Sequence, residues 1–194
     1  MLSSNTRDQK EPNESNEINA LYEKGLEFIS IDKYEEAIAY FDKVLEIEPD
    51  RLDALFNKGL SLKKLGKYEE AIVYYDKALK INPEEVGTLI NKGVALKNLG
   101  KCEKAITYYD KALEINPDNA AAFANKGAAF EGLGKYDEAI IWYDKALEIN
   151  PDVIVVLDNK GHSLSQLGRH EEAMEYFDKV LQIEPDYVSA AERP

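Results

Sequence analysis

Small and apolar residues recur along the chain at a fixed interval of 34 residues. The glycines that mark this interval are Gly25, Gly59, Gly93, Gly127 and Gly161. Counting each unit from seven residues before its glycine divides the chain into 18–51, 52–85, 86–119, 120–153 and 154–187. A constant period of this length is typical of a solenoid, in which stacked units bury a shared core that no single unit can form.

Each unit contains two runs of apolar residues with helical spacing. In the second unit the first run includes Leu55 and Leu62 and ends at Gly66, because glycine readily adopts the left-handed conformation at a helix C-terminus. The second run extends over 68–79, and Pro83 follows it as a helix stop. The pattern therefore predicts an all-α chain built from helix-turn-helix units.

Further periodic positions predict how these helices pack. Gly59 and Ala71 are expected to let the paired helices approach closely, and Ala78 to admit the first helix of the next unit. Every unit also has a lysine in its first helix and an aspartate in its second, from Lys24 and Asp42 onward. We expect these side chains to pair between helices, with the lysine stems packed on apolar surface.

The units resemble the tetratricopeptide repeat (TPR). The second unit has the family's characteristic residue types at Leu55, Gly59, Leu62, Tyr68, Ala71, Tyr75, Ala78 and Pro83. The resemblance covers 18–187 and implies a right-handed α-solenoid of five tandem repeats, with the first helices lining a concave groove. The sequence departs from the family where Leu or Phe replaces the usual tryptophan at the fourth position, and where lysine occupies the seventh.

The two ends differ from the repeats. Residues 1–17 are polar and predict a disordered N-terminal tail, and 188–194 correspond to the truncated start of a further helix. The second helix of the last unit keeps the apolar pattern of its internal counterparts, although a terminal repeat needs a polar outer face. The chain is therefore expected either to be a fragment of a longer array or to cover that face by self-association.

Composition narrows the class of partner and the compartment. The formal net charge is −13 and the pI is about 4.7, so we expect no nucleic-acid partner. There is no apolar run near the ~18 residues of a membrane span, and the first residues show no secretory signal, so we expect no membrane partner. The single cysteine fits a reducing compartment, and a cytoplasmic location is expected.

The sequence predicts no enzyme, because no candidate catalytic, metal or cofactor site emerges from it. Cys102 and His170 both replace a tyrosine at the turn between helices, which is a packing position, and the few Cys and His residues cannot supply a zinc site. No phosphate-binding glycine loop is present, and the carboxylates recur with the period as scaffold residues do. We predict neither a metal nor a cofactor.

The repeated asparagines are the candidate binding residues. They occupy the sixth position of the second to fifth units, as Asn57, Asn91, Asn125 and Asn159. A side-chain amide can pair with both the C=O and the N–H of a peptide group, and the resemblance implies this role, because several peptide-binding TPR proteins use asparagines here. The alternative is a local hydrogen bond within the scaffold.

Apolar and basic side chains accompany the asparagines at the groove positions that the resemblance implies. The predicted contacts are Tyr22, Leu26, Phe56, Leu60, Lys63, Lys64, Ile90, Val94, Lys97, Ala124 and Ala128. The apolar stripe predicts either a ligand site or a groove filled by the chain's own tail or by another copy. Chaperone-binding TPR proteins clamp a carboxylate with Lys and Asn at fixed positions, but Tyr22, Leu26 and Gly87 replace the basic members here.

These observations together predict a non-catalytic scaffold for protein–protein interaction. It would bind extended peptide segments of partner proteins in its groove, as an adaptor similar to a co-chaperone. The alternative function is a structural array that self-assembles, as a homo-oligomer, through its uncapped C-terminal face.

Overall fold

The computed structural model describes residues 12–188, and within them every regular element is an α-helix. The helices are α1 (Pro12–Ser30), α2 (Tyr34–Ile47), α3 (Leu52–Lys64), α4 (Tyr68–Ile81), α5 (Val86–Asn98), α6 (Cys102–Ile115), α7 (Ala120–Gly132), α8 (Tyr136–Ile149), α9 (Ile154–Gln166) and α10 (His170–Ile183). Odd-numbered helices are the first helices of the repeats and even-numbered helices the second. The predicted all-α fold class is confirmed.

The described chain forms two compact units, 12–82 with α1 to α4 and 83–188 with α5 to α10. Within each of them, consecutive helices pack in pairs, and each second helix also packs on the first helix of the following repeat. Both helices of a repeat contribute to the core: the first helices supply mostly leucine and alanine, and the second helices mostly alanine and aromatic side chains. In α4 and α6, for example, Ala71, Tyr75, Ala105 and Tyr109 are buried completely.

The periodic glycines allow the two helices of a repeat to approach closely. A Cβ placed on Gly59 would lie 2.6 Å from Cε1 of the buried Tyr75 ring, and one on Gly127 the same distance from Tyr143. These distances are shorter than a carbon–carbon contact permits, so the aromatic ring of the second helix fills the space that glycine leaves. The close approach predicted for Gly59 is present.

A second set of glycines ends the first helices. Gly66 has φ +75°, its N–H donates to the Lys63 carbonyl, and the Lys67 N–H donates to the Leu62 carbonyl. This is the Schellman arrangement, which satisfies the last carbonyls of the helix. In the first repeat Asp32 holds the corresponding position with φ 57°, and the Tyr34 hydroxyl donates to its carboxylate.

The chain ends depart from the sequence prediction where they are described. Residues 12–17, expected in the disordered tail, form the first turns of α1; proline at the first helical position loses no helical hydrogen bond. The rest of that tail, 1–11, lies outside the described residues, as do residues 189–194 of the predicted further helix. His170 was expected at a packing position but is exposed, whereas Cys102 at the same position faces Gly132 of the next repeat.

Candidate peptide-binding face

The first helices lie side by side within each compact unit. In 83–188, α7 contacts both α5 and α9, and in 12–82, α1 contacts α3. We call the surface formed by the fifth, sixth, ninth, twelfth and thirteenth positions of these helices the first-helix face. All the predicted contact residues except Lys64, which is exposed, are partly buried on it, as are the four asparagines.

The middle asparagines share one arrangement. The Nδ2 of Asn91 donates to the Gly87 carbonyl at 2.8 Å, and the Nδ2 of Asn125 donates to the Ala121 carbonyl at 2.8 Å. Each bond ties the amide to the preceding turn of its own helix. This is the local hydrogen bond within the scaffold that the sequence leaves open as the alternative to peptide binding. A bond of this kind uses one of the two amide N–H groups and fixes the direction of the side chain.

The outer asparagines lie beside a tyrosine. The Nδ2 of Asn57 donates to the Tyr22 hydroxyl at 2.9 Å and to the Asp53 carbonyl at 3.0 Å, and the side chain of Asn159 lies near the Tyr143 hydroxyl. Both N–H groups of Asn57 therefore donate within the protein. The four asparagines are equivalent in sequence but not in their contacts.

Arg51 covers part of the first-helix face in 12–82. Its guanidinium lies 4.6 Å from the centre of the Tyr22 ring, and it is held by Asp53 at 2.9 Å and by Asn19 at 3.0 Å. Because Tyr22 also accepts the Asn57 bond, these side chains form one connected network. Tyr22 and Asn57, which were predicted to contact a peptide, therefore contact other side chains of the protein instead.

In each compact unit a lysine lies near the end of a first helix, Lys63 in α3 and Lys97 in α5. Lys63 is partly buried, and its pKa is lowered by burial and by the neighbouring charge of Lys64. Lys97 is partly buried at the same repeat position in α5. An anion beside Lys63 would offset both the desolvation and the repulsion that lower this pKa.

Buried lysines fix the packing between neighbouring repeats. Lys58 pairs with Asp42, Lys126 with Asp110, and Lys160 with Asp144, so each pair joins a second helix to the first helix that follows. The predicted Lys–Asp pairing is thus present within each compact unit. Burial opposes the charge of Lys160, but bonds to Asp144 and to the Tyr176 hydroxyl outweigh it and raise its pKa.

Each buried lysine also lies on an aromatic ring of its own repeat. Lys126 lies 3.5 Å from the centre of Trp142, and the exposed Lys145 lies 4.5 Å from the same ring. Trp142 in turn stacks on Phe123 at 5.8 Å. This tryptophan is therefore a packing residue, as its tyrosine counterparts in the other repeats suggest.

The sequence interpretation missed a polar cluster on α7 and α9. Glu131 accepts a hydrogen bond from the buried Tyr143 hydroxyl at 2.6 Å, and its other oxygen lies 2.6 Å from Nδ1 of His162. Gln166 lies 3.3 Å from the second ring nitrogen of His162. Glu131 stands where the second and third repeats have lysine, and His162 stands where all the other repeats have an apolar residue, so a search for departures from the period could have found them.

Two classes of feature are absent from 12–188. No group of three or more His, Cys, Asp or Glu side chains there is arranged to hold a metal ion. None of the helices in that range combines the length and the apolar character needed to cross a membrane.

Comparison with known proteins supports the interpretation of the repeats. The tetratricopeptide repeat profile matches 18–51, 52–85 and 159–187, and a second tetratricopeptide repeat profile matches 90–154. No curated protein matches the sequence.

Solved structures show the same fold. "MamA 41-end from Desulfovibrio magneticus RS-1" is 24% identical, with a TM-score of 0.78 over 89% of this chain and 97% of that chain. "MamA RS-1 ArsTM double mutant" is 23% identical, with a TM-score of 0.77 over 87% and 94%. "MamA AMB-1 P212121" is 25% identical, with a TM-score of 0.72 over 86% and 99%.

The profile matches cover most of the chain, and the helices and their packing agree with them. The chain belongs to the tetratricopeptide repeat family, whose all-α solenoid is a non-catalytic scaffold for protein–protein interaction.

Proposed function

We propose that the first-helix face of 83–188 binds an extended peptide segment of a partner protein, and that the amides of Asn91, Asn125 and Asn159 hold its backbone. The observation that carries the proposal is the identical 2.8 Å bond that ties Asn91 and Asn125 to their own helices. Two amides fixed in the same way, one repeat apart, have the same orientation on neighbouring first helices, across which an extended ligand would run.

The scaffold bond and the peptide bond are compatible at Asn125. The bond to the Ala121 carbonyl uses one N–H, and the second N–H and Oδ1 of Asn125 make no other hydrogen bond within the described residues. These two groups can pair with a peptide C=O and N–H together. Fixing the side chain in advance lowers the conformational entropy that is lost when the ligand binds.

The surrounding side chains define the class of peptide. Ile90 and Val94 on α5 offer partly buried apolar surface, and the small Ala124 and Ala128 on α7 leave room for larger ligand side chains. Lys97 favours a carboxylate near α5. The preferred segment therefore mixes apolar residues with an acidic one, and a transient adaptor of this kind is expected to bind with a Kd of about 1 μM.

The test starts from a phage-displayed library of random peptides selected on the full chain. Enriched peptides are synthesised with a fluorophore, and their Kd is measured by fluorescence anisotropy. Replacing Asn91, Asn125 and Asn159 together with alanine should raise the Kd at least about tenfold, because each amide–peptide hydrogen bond contributes about 0.5–1.5 kcal/mol.

The matched control replaces Asn116 and Asn150, which are exposed residues at the ends of second helices, with alanine. This control should leave the Kd unchanged, and circular dichroism should show full helicity for both variants. The proposal fails if no peptide is enriched, or if the triple variant binds the enriched peptides as well as the control does.

A further inference from the structure

The last helix presents a surface that is buried elsewhere in the chain. Ile140 of α8 is 8% exposed, because it packs in one apolar cluster with Leu164 of α9 and with Leu167, which directly follows that helix. Met174 has the same position in α10 and is 56% exposed, and Leu181 in the next turns is also exposed. Within the described residues, α10 therefore exposes the surface that its counterpart α8 buries against α9.

The same surface has a carboxylate at the position of the ion pairs between repeats. Asp144 in α8 pairs with Lys160, and Asp42 and Asp110 pair in the same way with the lysines that follow them. Asp178 is the corresponding residue in α10. It is exposed and makes no ion pair within the described part of the chain.

The first helix presents the complementary pattern. Lys24 in α1 corresponds to Lys160, but its side chain is 54% exposed, and its one ion pair within 12–188 is with Glu27 of the same helix. Ile31 corresponds to Leu167 and is 55% exposed, and Phe28 corresponds to Leu164. An aromatic residue is accepted at this last position, because Phe130 holds it within the array.

We propose that α10 of one molecule binds α1 of a second copy in the register of an internal junction, with Lys24 paired to Asp178 and Met174 packed on Phe28 and Ile31. The observations favour a second copy as the partner because the two surfaces together contain the charge pair and the apolar contacts of an internal junction. Such an interface joins two different surfaces, so it can continue from molecule to molecule and produce linear assemblies.

The test uses sedimentation velocity of the full chain up to millimolar concentration. The wild type should show a sedimentation coefficient that rises with concentration. Lys24→Glu alone and Asp178→Lys alone should each remain monomeric, because each places like charges at the interface. Mixing the two variants should restore assembly in an alternating order, since every second junction then brings the introduced glutamate to the introduced lysine, and the other junctions keep the native Lys24–Asp178 pair.

Two further variants serve as controls. Lys135→Glu makes the same charge change as Lys24→Glu at an exposed residue between α7 and α8 and should assemble like the wild type. Met174→Lys should abolish assembly without loss of helicity. The proposal is overturned if the wild type is monomeric throughout, which would mean that another segment or protein covers α10. It is also overturned if the mixture of the two charge variants stays monomeric.

Discussion

The buried lysines offer a sharp test of how the repeats are held together. Lys126→Met removes an ammonium group whose side chain is only 9% exposed, together with its ion pair to Asp110 and its contact with Trp142. Methionine keeps most of the apolar stem. The change therefore isolates the contribution of the charge from that of packing.

The expected loss is about 1–2 kcal/mol in the free energy of unfolding. A hydrogen bond to a charged group contributes about 1.5–3 kcal/mol, and the lower end applies because Asp110 is 45% exposed and water can hydrate it once the lysine is gone. A desolvated cation–π contact adds up to about 2 kcal/mol. Methionine recovers part of this, since it packs on the ring and removes the cost of burying an ammonium group.

Trp142 is the single tryptophan, so urea titration followed by its fluorescence reports directly on this part of the chain. The matched control is Lys145→Met, because the exposed Lys145 contacts the same ring, and it should cost about 0.5 kcal/mol or less. If both variants were equally stable, or if Lys126→Met were as stable as the wild type, the buried lysines would not hold the repeats together.

Three further predictions concern single positions and pH, and all use urea titration. The buried Tyr109 hydroxyl has no hydrogen-bond partner among the described residues, so Tyr109→Phe should leave the free energy of unfolding unchanged or raise it. Tyr143→Phe should lower it by about 1 kcal/mol, because this change removes a hydrogen bond to the Glu131 carboxylate. A loss of stability in Tyr109→Phe would contradict this reasoning. Gly134→Ala should lower the free energy of unfolding by about 1–2 kcal/mol, because φ is +71° there and no atom lies close enough to clash with the added Cβ. Asp32→Gly should stabilise the protein for the same reason, since Asp32 also has a positive φ. A Gly134→Ala variant as stable as the wild type would refute this account of backbone strain. Hydrogen bonds raise the pKa of Lys160 despite its burial, and burial raises the pKa of Tyr109. A raised folded-state pKa contributes stability that is complete below the unfolded value, so the free energy of unfolding should decline above about pH 10, and a constant value there would be inconsistent.

The fold could be predicted from the sequence because the same constraints recur in every unit. Glycine is required at positions 59 and 127, where an aromatic ring lies against the helix, and it is favoured at Gly66, where φ is positive. These requirements are local to one repeat and its neighbour, so a period of 34 residues reveals them without knowledge of the whole chain.

The contacts of the candidate site could not be predicted in the same way. Asn57 and Asn125 are equivalent in the repeat, but Tyr22 in the first repeat gives Asn57 a partner that Asn125 does not have, and Arg51 lies over the Tyr22 ring. These differences arise from residues that deviate from the period. The sequence therefore indicates which positions line the face, while the structure is needed to tell which amides remain able to bind a peptide.

The side-chain amide resonances of asparagine test the central claim most directly. The full chain is titrated with a selected peptide and followed by two-dimensional nitrogen–proton NMR. The Nδ2 signals of Asn91, Asn125 and Asn159 should shift together until the peptide saturates the protein. Those of Asn116 and Asn150 should stay in place. A peptide that binds and shifts only signals from the second helices would contradict the assignment of the first-helix face as the binding surface.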